Sequence, residues 1–207
     1  MESEFTHLAL IGQPGIGKST SFKWLSESYP GQIRIVPKIT TRPARPNEPE
    51  DTIPDYPVLD FLRGMRETHI DGYNQILLPH QPFGDHWYGY RREDLLYQNG
   101  RLNVLEPNPE LQLPDFKRIF GAKALVVALM SRDLNYIRSN LIERGTETPE
   151  KLTARLKTAE ELIPVIDSQL AQGNIDLLLE LGWHNRDQLR PTILGIAGKL
   201  LNIVYNY

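Results

Sequence analysis

The chain has 207 residues, 40% hydrophobic and 24% charged, the profile of a soluble globular protein with one sizeable core or two small lobes. Its 23 Lys and Arg against 26 Asp and Glu leave a net charge of -3, so no global basic field exists to hold a nucleic-acid backbone, and any phosphate chemistry is local. Cysteine is absent, which excludes disulfides, thiolate nucleophiles and cysteine-based zinc or iron-sulfur sites and suits a reducing cytoplasm.

The acidic start Met1-Glu2-Ser3-Glu4 lacks the basic and apolar regions of a signal peptide. The longest uninterrupted apolar run, residues 124–130, is seven residues, against the roughly 20 of a membrane-spanning helix. These features predict a cytoplasmic protein that engages neither nucleic acid nor membrane.

Residues 7–11 form a short apolar run that ends at a Gly/Pro cluster, and residues 19–29 then carry Phe22, Leu25 and Tyr29 at helical spacing, so the chain opens as strand, loop, helix. Residues 33–36 read as a second strand. Between 37 and 57 the density of prolines and charges argues for a loop and against a helix interior. A short helix over 57–68 uses Leu59, Leu62 and Met65, and the Pro, Gly, His and aromatic residues that follow up to Tyr90 give no regular period. A helical pattern at 92–98 stops at Asn99-Gly100. Residues 102–105 read as a strand, and residues 124–130, apolar at every position, as a buried parallel strand. Helices are predicted at 132–143 and 149–163, the second with Thr148 as N-cap and Pro149 at its first position. A strand at 175–180 and a helix at 191–204 close an α/β fold with a parallel sheet flanked by helices and with inserted lobes.

The strongest signal is Gly12-Gln13-Pro14-Gly15-Ile16-Gly17-Lys18-Ser19, which satisfies G-x-x-x-x-G-K-[ST] between a predicted strand and helix. Its glycines allow backbone N–H groups to turn inward around a polyphosphate, and the helix beginning near Gly17 adds its positive N-terminal dipole. Lys18 is placed for the β- and γ-phosphates and the Ser19 hydroxyl for magnesium. The loop identifies a nucleoside triphosphate site without separating a kinase from an ATPase, a GTPase or a motor.

An acceptor has to be sought elsewhere. Thr40-Thr41-Arg42-Pro43-Ala44-Arg45 places two guanidinium forks three residues apart in a proline-stiffened segment, followed by Asp55-Tyr56 and, farther on, by Trp87-Tyr88-Gly89-Tyr90. Arginine forks and tyrosine hydroxyls suit an anionic group, although a solvated loop region carries the same residues. The five histidines, His7, His69, His80, His86 and His184, show no ligand spacing for zinc and read as structural or solvent-facing, with His86 beside Trp87 and Tyr88 the one to test. Trp24 and Trp183 read as packing residues.

Taken in order, the phosphate loop through Thr20, Thr40-Thr41-Arg42 with Arg45 and Glu48, Asp55-Tyr56, Tyr88-Gly89, Arg144-Gly145-Thr146-Glu147-Thr148, Arg155-Leu156 and Ala159 resemble the guanylate kinase family over roughly residues 6–182. The resemblance implies a single domain over 1–207 with a P-loop core (1–38, 91–133 and 159–207), a nucleoside monophosphate-binding lobe (39–90) and a lid (134–158). It implies ATP bound by Gly12 to Thr20, an acceptor monophosphate held by Arg42, Arg45, Tyr56 and Tyr88, and lid arginines Arg144 and Arg155 closing over the transferring group with Lys18 and Arg42. It also implies a magnesium-ATP-dependent transfer to a purine monophosphate, GMP or dGMP first, by a monomer or homodimer. A kinase of ribose 1,5-bisphosphate and a non-catalytic binding module are the alternatives.

The pattern departs from the family at several positions. The acidic strand-end motif reads Glu106-Pro107-Asn108, which leaves Glu106 for a magnesium water shell or the acceptor. A lid arginine falls at Asn140, with Arg138 nearby as a substitute. Small hydroxyl residues that read the base fall at Ile39 and Tyr90, and the base-reading glutamate falls at Pro79, or at Asp71 if an insertion precedes Tyr88.

Overall fold

A computed structural model describes residues 5–44, 52–66, 75–81, 86–97, 99–145 and 147–201. The elements run β1 (His7–Gly12), α1 (Lys18–Ser28), β2 (Ile33–Ile35), β3 (Lys38–Thr40), β4 (Thr52–Ile53), α2 (Val58–Arg66), β5 (Ile76–His80), β6 (Tyr88–Arg91) and α3 (Arg92–Leu96). They continue with β7 (Leu102–Leu105), α4 (Leu113–Phe120), β8 (Ala124–Met130), α5 (Leu134–Glu143), α6 (Pro149–Ala171), β9 (Leu177–Glu180) and α7 (Leu189–Leu200).

Five strands form a parallel sheet in the order β2-β7-β1-β8-β9. Its central strands are covered on both faces, which is why β8 is apolar throughout and β1 and β7 are apolar apart from the buried His7 and Asn103. Leu8 and Leu10 of β1 with Val127 and Leu129 of β8 face α1, α5 and α7, through Phe22, Leu25, Ile137, Leu141 and Ile193. Ala9 and Ile11 with Val126, Ala128 and Met130 face the other way, onto Leu95, Leu113, Phe116 and Ile166 of α3, α4 and α6. The period of two that a half-exposed strand shows as hydrophobic and polar is here hydrophobic on both sides.

A second sheet, β4-β3-β6-β5, pairs β3 with β6 and β5 with β6 antiparallel and β3 with β4 parallel. It carries its own small core of Ile39, Phe61 and Ile76, with Ile53, Tyr56, Met65 and Trp87 around it. Leu78 and Tyr90 reach out of it into the main core. These strands replace the loop and the irregular stretch expected from the sequence. Pro79 and Gly89 hide them, yet β5 is an edge strand with a register shift between Leu77 and His80, the place where a proline without an N–H is tolerated. Helix α4 was also unexpected, although Leu113, Phe116 and Phe120 share a helical face and Pro114 and Gly121 bracket it. Helix α6 runs past the expected stop at residue 163, carrying Pro164 inside it. Thr148 is its N-cap, accepting the Lys151 N–H at 3.4 Å, with Pro149 at the first position as expected. Among the described residues no helix is long and apolar enough to cross a membrane.

His7 is fully buried in β1, its Nε2 2.9 Å from the Leu95 carbonyl oxygen and its ring against Phe120. Burial, reinforced by the Arg34 charge and opposed by the Leu95 carbonyl, holds its pKa down to about 4. Burial also lowers His80 to about 4. Both imidazoles stay neutral in the fold at a pH where the unfolded chain protonates them, so the unfolded state binds more protons between the two values. Stability therefore falls as pH drops from about 6.5 towards about 4, by about 2–3 kcal/mol for each ring. Urea unfolding from pH 7 down to about pH 4.5 measures the loss, and a His7→Gln variant flattens the profile; an unchanged slope in that variant would count against the assignment to His7.

Candidate functional site

Strand β1 ends at Gly12, and the loop between it and α1 is folded back around the ammonium of Lys18. Lys18 Nζ donates to the carbonyl oxygens of Gly12 at 2.7 Å and Gln13 at 2.8 Å. It also lies 3.3 Å from Glu106 Oε1, at the residue following β7. The neighbouring parallel strands β1 and β7 thus bring a loop lysine and a strand-end carboxylate together at the carboxyl edge of the sheet, the place where open parallel sheets bind ligands.

The other Glu106 oxygen is 3.6 Å from Lys38 Nζ, at the start of β3. One carboxylate therefore sits between two ammoniums, one from the phosphate loop and one from the second sheet. Burial pushes the Glu106 carboxyl up, but the Lys38 and Lys18 charges outweigh it and hold the group below its ordinary range, so Glu106 is ionised at neutral pH. Burial lowers Lys18 below the usual lysine value, with Glu106 pulling the other way.

Around this ion array opens a cleft of about 820 Å³ between the two sheets and helices α5, α6 and α7. Pro14 to Thr20 form its floor; Arg42, Thr52 and Tyr88 line it from the second sheet, and Asn140, Arg144 and Arg155 from α5, the turn after it and α6. An adjoining recess of about 290 Å³ is lined by Lys38, His80, Tyr88, Glu106, Asn108 and Leu162 among others. Ser19 and Thr20 are exposed at the start of α1.

The sequence-predicted residues fall into three groups. Lys18, Ser19, Arg42, Tyr88, Glu106, Arg144 and Arg155 converge on the cleft with the phosphate loop. Arg42 is held there by the two threonines before it: Thr40 Oγ1 accepts the Arg42 N–H at 3.1 Å, and Thr41 exchanges bonds with Trp87, its N–H donating to the Trp87 carbonyl and its Oγ1 accepting the Trp87 N–H. Arg155 pairs through Nε with Glu147 at 2.8 Å, and the Glu147 side chain is only 6% exposed, so the guanidinium is braced from behind. Tyr56 lies outside the cleft, its ring edge-on to Phe61 and beneath the Arg91 guanidinium. Arg45 and Asp71 fall outside the described residues, as does Glu48.

Other expectations change. Arg138 is exposed and does not line the cleft, because it sits two residues from Asn140 and hence on the far side of α5. Asn140 itself donates to the Gly15 carbonyl oxygen at 3.1 Å, tying the loop to α5. Ile39 is buried in the core of the second sheet. Tyr90 is buried too, its hydroxyl donating to the Glu106 carbonyl oxygen at 2.9 Å and accepting the Glu106 N–H at 3.2 Å, so it fixes the carboxylate's backbone. Asn108 is spent on its own turn, with Oδ1 accepting the N–H groups of Glu110 and Leu111. Trp24 packs against the main core as expected and also lines the cleft, with the Arg190 guanidinium 5.8 Å from its ring centre.

Sequence reasoning missed Lys38 and His80. Nothing local marks Lys38, since its partner Glu106 lies on a different strand. His80 read as one of five scattered histidines, yet it is stacked on Tyr88 and lines the recess as a neutral ring.

A parallel sheet, a glycine-rich loop that leads from its first strand into a helix, and a lysine beside a strand-end carboxylate define a P-loop nucleoside triphosphate-binding protein. No family model matches the chain. Known proteins do: it is 30% identical over 162 residues to a guanylate kinase of Gloeobacter violaceus, covering 77% of this chain and 75% of that one. It is 31% identical over 153 residues to a guanylate kinase of Thermobifida fusca, covering 72% and 73%. The fold also matches the crystal structure of a guanylate kinase from Anaplasma phagocytophilum, with a TM-score of 0.60 at 18% identity over 96% of this chain and 86% of that one. The chain belongs to the guanylate kinase family.

Proposed function

We propose that this protein transfers the γ-phosphoryl group of ATP to GMP or dGMP, releasing ADP and the nucleoside diphosphate. The observation that supports it most directly is the Lys18–Glu106–Lys38 array, which joins the donor loop to the second sheet inside one cleft. The names of the relatives point to guanylate as acceptor.

In this reading residues 39–90 form the acceptor lobe and 134–158 the lid. The loop N–H groups and Lys18 hold the β- and γ-phosphates, and Arg42 and Tyr88, with Arg45, take the acceptor phosphate. Asp71 completes the acceptor set on the base. Arg144 and Arg155 face the transferring group from the lid side. As the bond from the γ-phosphorus to the ADP oxygen breaks and a bond to an acceptor phosphate oxygen forms, these cations neutralise charge spread over the equatorial oxygens. Lys38 brings a further cation to the acceptor side.

The donor set fits magnesium. The Ser19 hydroxyl and Glu106 through water, with the nucleotide's phosphates, are the sparse oxygen set that magnesium prefers. Magnesium held there would supply charge neutralisation for the phosphates.

The test is ADP release from magnesium-ATP in the presence of GMP, dGMP, AMP, pyrimidine monophosphates or ribose 1,5-bisphosphate. Selective turnover of GMP or dGMP is expected. Turnover of the sugar phosphate instead, or of none of these, would overturn the proposal.

A further inference from the structure

Gln13 follows the first glycine of the phosphate loop at a position its motif leaves unspecified, and its side chain is fully buried. The primary amide has two donors and an acceptor, and the structure uses all of them. Oε1 accepts the Ser131 N–H at 2.6 Å, and Nε2 donates to the Ser131 carbonyl oxygen at 3.0 Å and to the Ala159 carbonyl oxygen at 2.8 Å. Towards Ser131 the amide acts as a borrowed peptide group: the β1–β8 ladder ends at Gly12 and Leu129, and the side chain carries the pairing one step beyond β8. Towards Ala159 it grips a carbonyl in the middle of α6.

That grip falls where it governs a cleft residue. Ala159 lies four residues after Arg155, so the two occupy nearly the same face of α6 one turn apart. Holding the Ala159 carbonyl fixes the rotation of the helix and with it the direction of Arg155 into the cleft. The turn that Gln13 grips is also one that a proline interrupts. Pro164 offers no N–H to the carbonyl of Glu160, the residue after Ala159, so that turn lacks one helical bond. Gln13's own backbone carbonyl meanwhile accepts from Lys18. One residue thus touches the loop lysine through its main chain and the helix bearing Arg155 through its side chain.

From this juxtaposition we infer that Gln13 is a positioning residue, which couples the phosphate loop to α6 and sets Arg155 for phosphoryl transfer. The inference rests on the role proposed above for Arg155.

Kinetics of Gln13→Met, which keeps the volume and loses every side-chain bond, and of Arg155→Ala, alone and combined, separate this from a structural role. Gln13→Met is expected to lower kcat about tenfold while the KM for ATP and for GMP stays within about threefold. In the Arg155→Ala background the same change costs less than about twofold, because the residue it positions is gone. Losses that multiply, or a folded Gln13→Met with wild-type kcat, would overturn the coupling and leave Arg155's role standing. Wild-type turnover by Arg155→Ala would overturn both. A second readout does not depend on turnover: hydrogen exchange of residues 155–163 with and without ADP. The expected result is slowing by ADP in the wild type that Gln13→Met abolishes while the phosphate loop keeps its own. Equal slowing in both would refute the coupling. Should the wild type phosphorylate no monophosphate, the proposed function fails, and exchange alone decides the coupling.

Discussion

Lys18→Ala lowers kcat by about 10²–10³-fold, the loss typical of removing one preorganised charge aimed at a developing anion. The structure explains why neighbouring cations do not rescue it. Lys18 is held on two loop carbonyls and against Glu106, with only 11% of its side chain exposed, so its ammonium is the one built into the loop itself. Lys38 stands on the other side of Glu106 and is carried by a different sheet. The substitution takes the ammonium away from the Gly12 and Gln13 carbonyls, the second of which keeps the Ile16 N–H, a cost of about 1–3 kcal/mol that the buried apolar clusters of the fold absorb. Steady-state kinetics together with a thermal melt check both halves, and a folded variant with wild-type turnover would remove Lys18 from the mechanism.

Gly12→Ala has the opposite signature, a large loss of stability before any question of activity. Gly12 has φ +147 and lies beside Leu129 in the β1–β8 pairing. A Cβ there would fall on the Leu129 carbonyl oxygen, with Ile16 Cγ2 a further 3.3 Å contact. The backbone of a central strand cannot yield to that as the end of a flexible side chain can. Backbone strain and overpacking add, giving an expected loss of about 3 kcal/mol or more. Urea unfolding measures it directly, and a loss under about 1 kcal/mol would show that the two strands separate more easily than their burial implies.

Much of the donor half was legible from sequence because its signals are local. The phosphate loop is contiguous, and β7 and β8 stand where their apolar runs predict, since strands buried on both faces need no partner to be recognised. The second sheet was not legible. Its strands are short, one contains Pro79 and another Gly89, and their apolar residues face a small core assembled from distant segments. The same reason hid Lys38, which acquires its meaning only when β3 is brought opposite Glu106. In the sequence Gln13 is one of the ATP-binding loop residues, and the task that Ser131 and Ala159 give its side chain is one no linear spacing announces. Tyr90 matched a base-reading position on paper, whereas the fold spends its hydroxyl on the backbone of Glu106.

The separation of the second sheet's core from the two clusters on the main sheet bears on how such a chain can diverge. Apart from Leu77, Leu78 and Tyr90, the apolar side chains of the second sheet's core, Ile39, Phe61 and Ile76 with Ile53, Tyr56, Met65 and Trp87, pack among themselves. Substitutions there are thermodynamically insulated from the donor side, because residues without shared neighbours contribute nearly additively. A lineage can therefore redraw what it accepts while inheriting unaltered the apparatus with which it spends ATP.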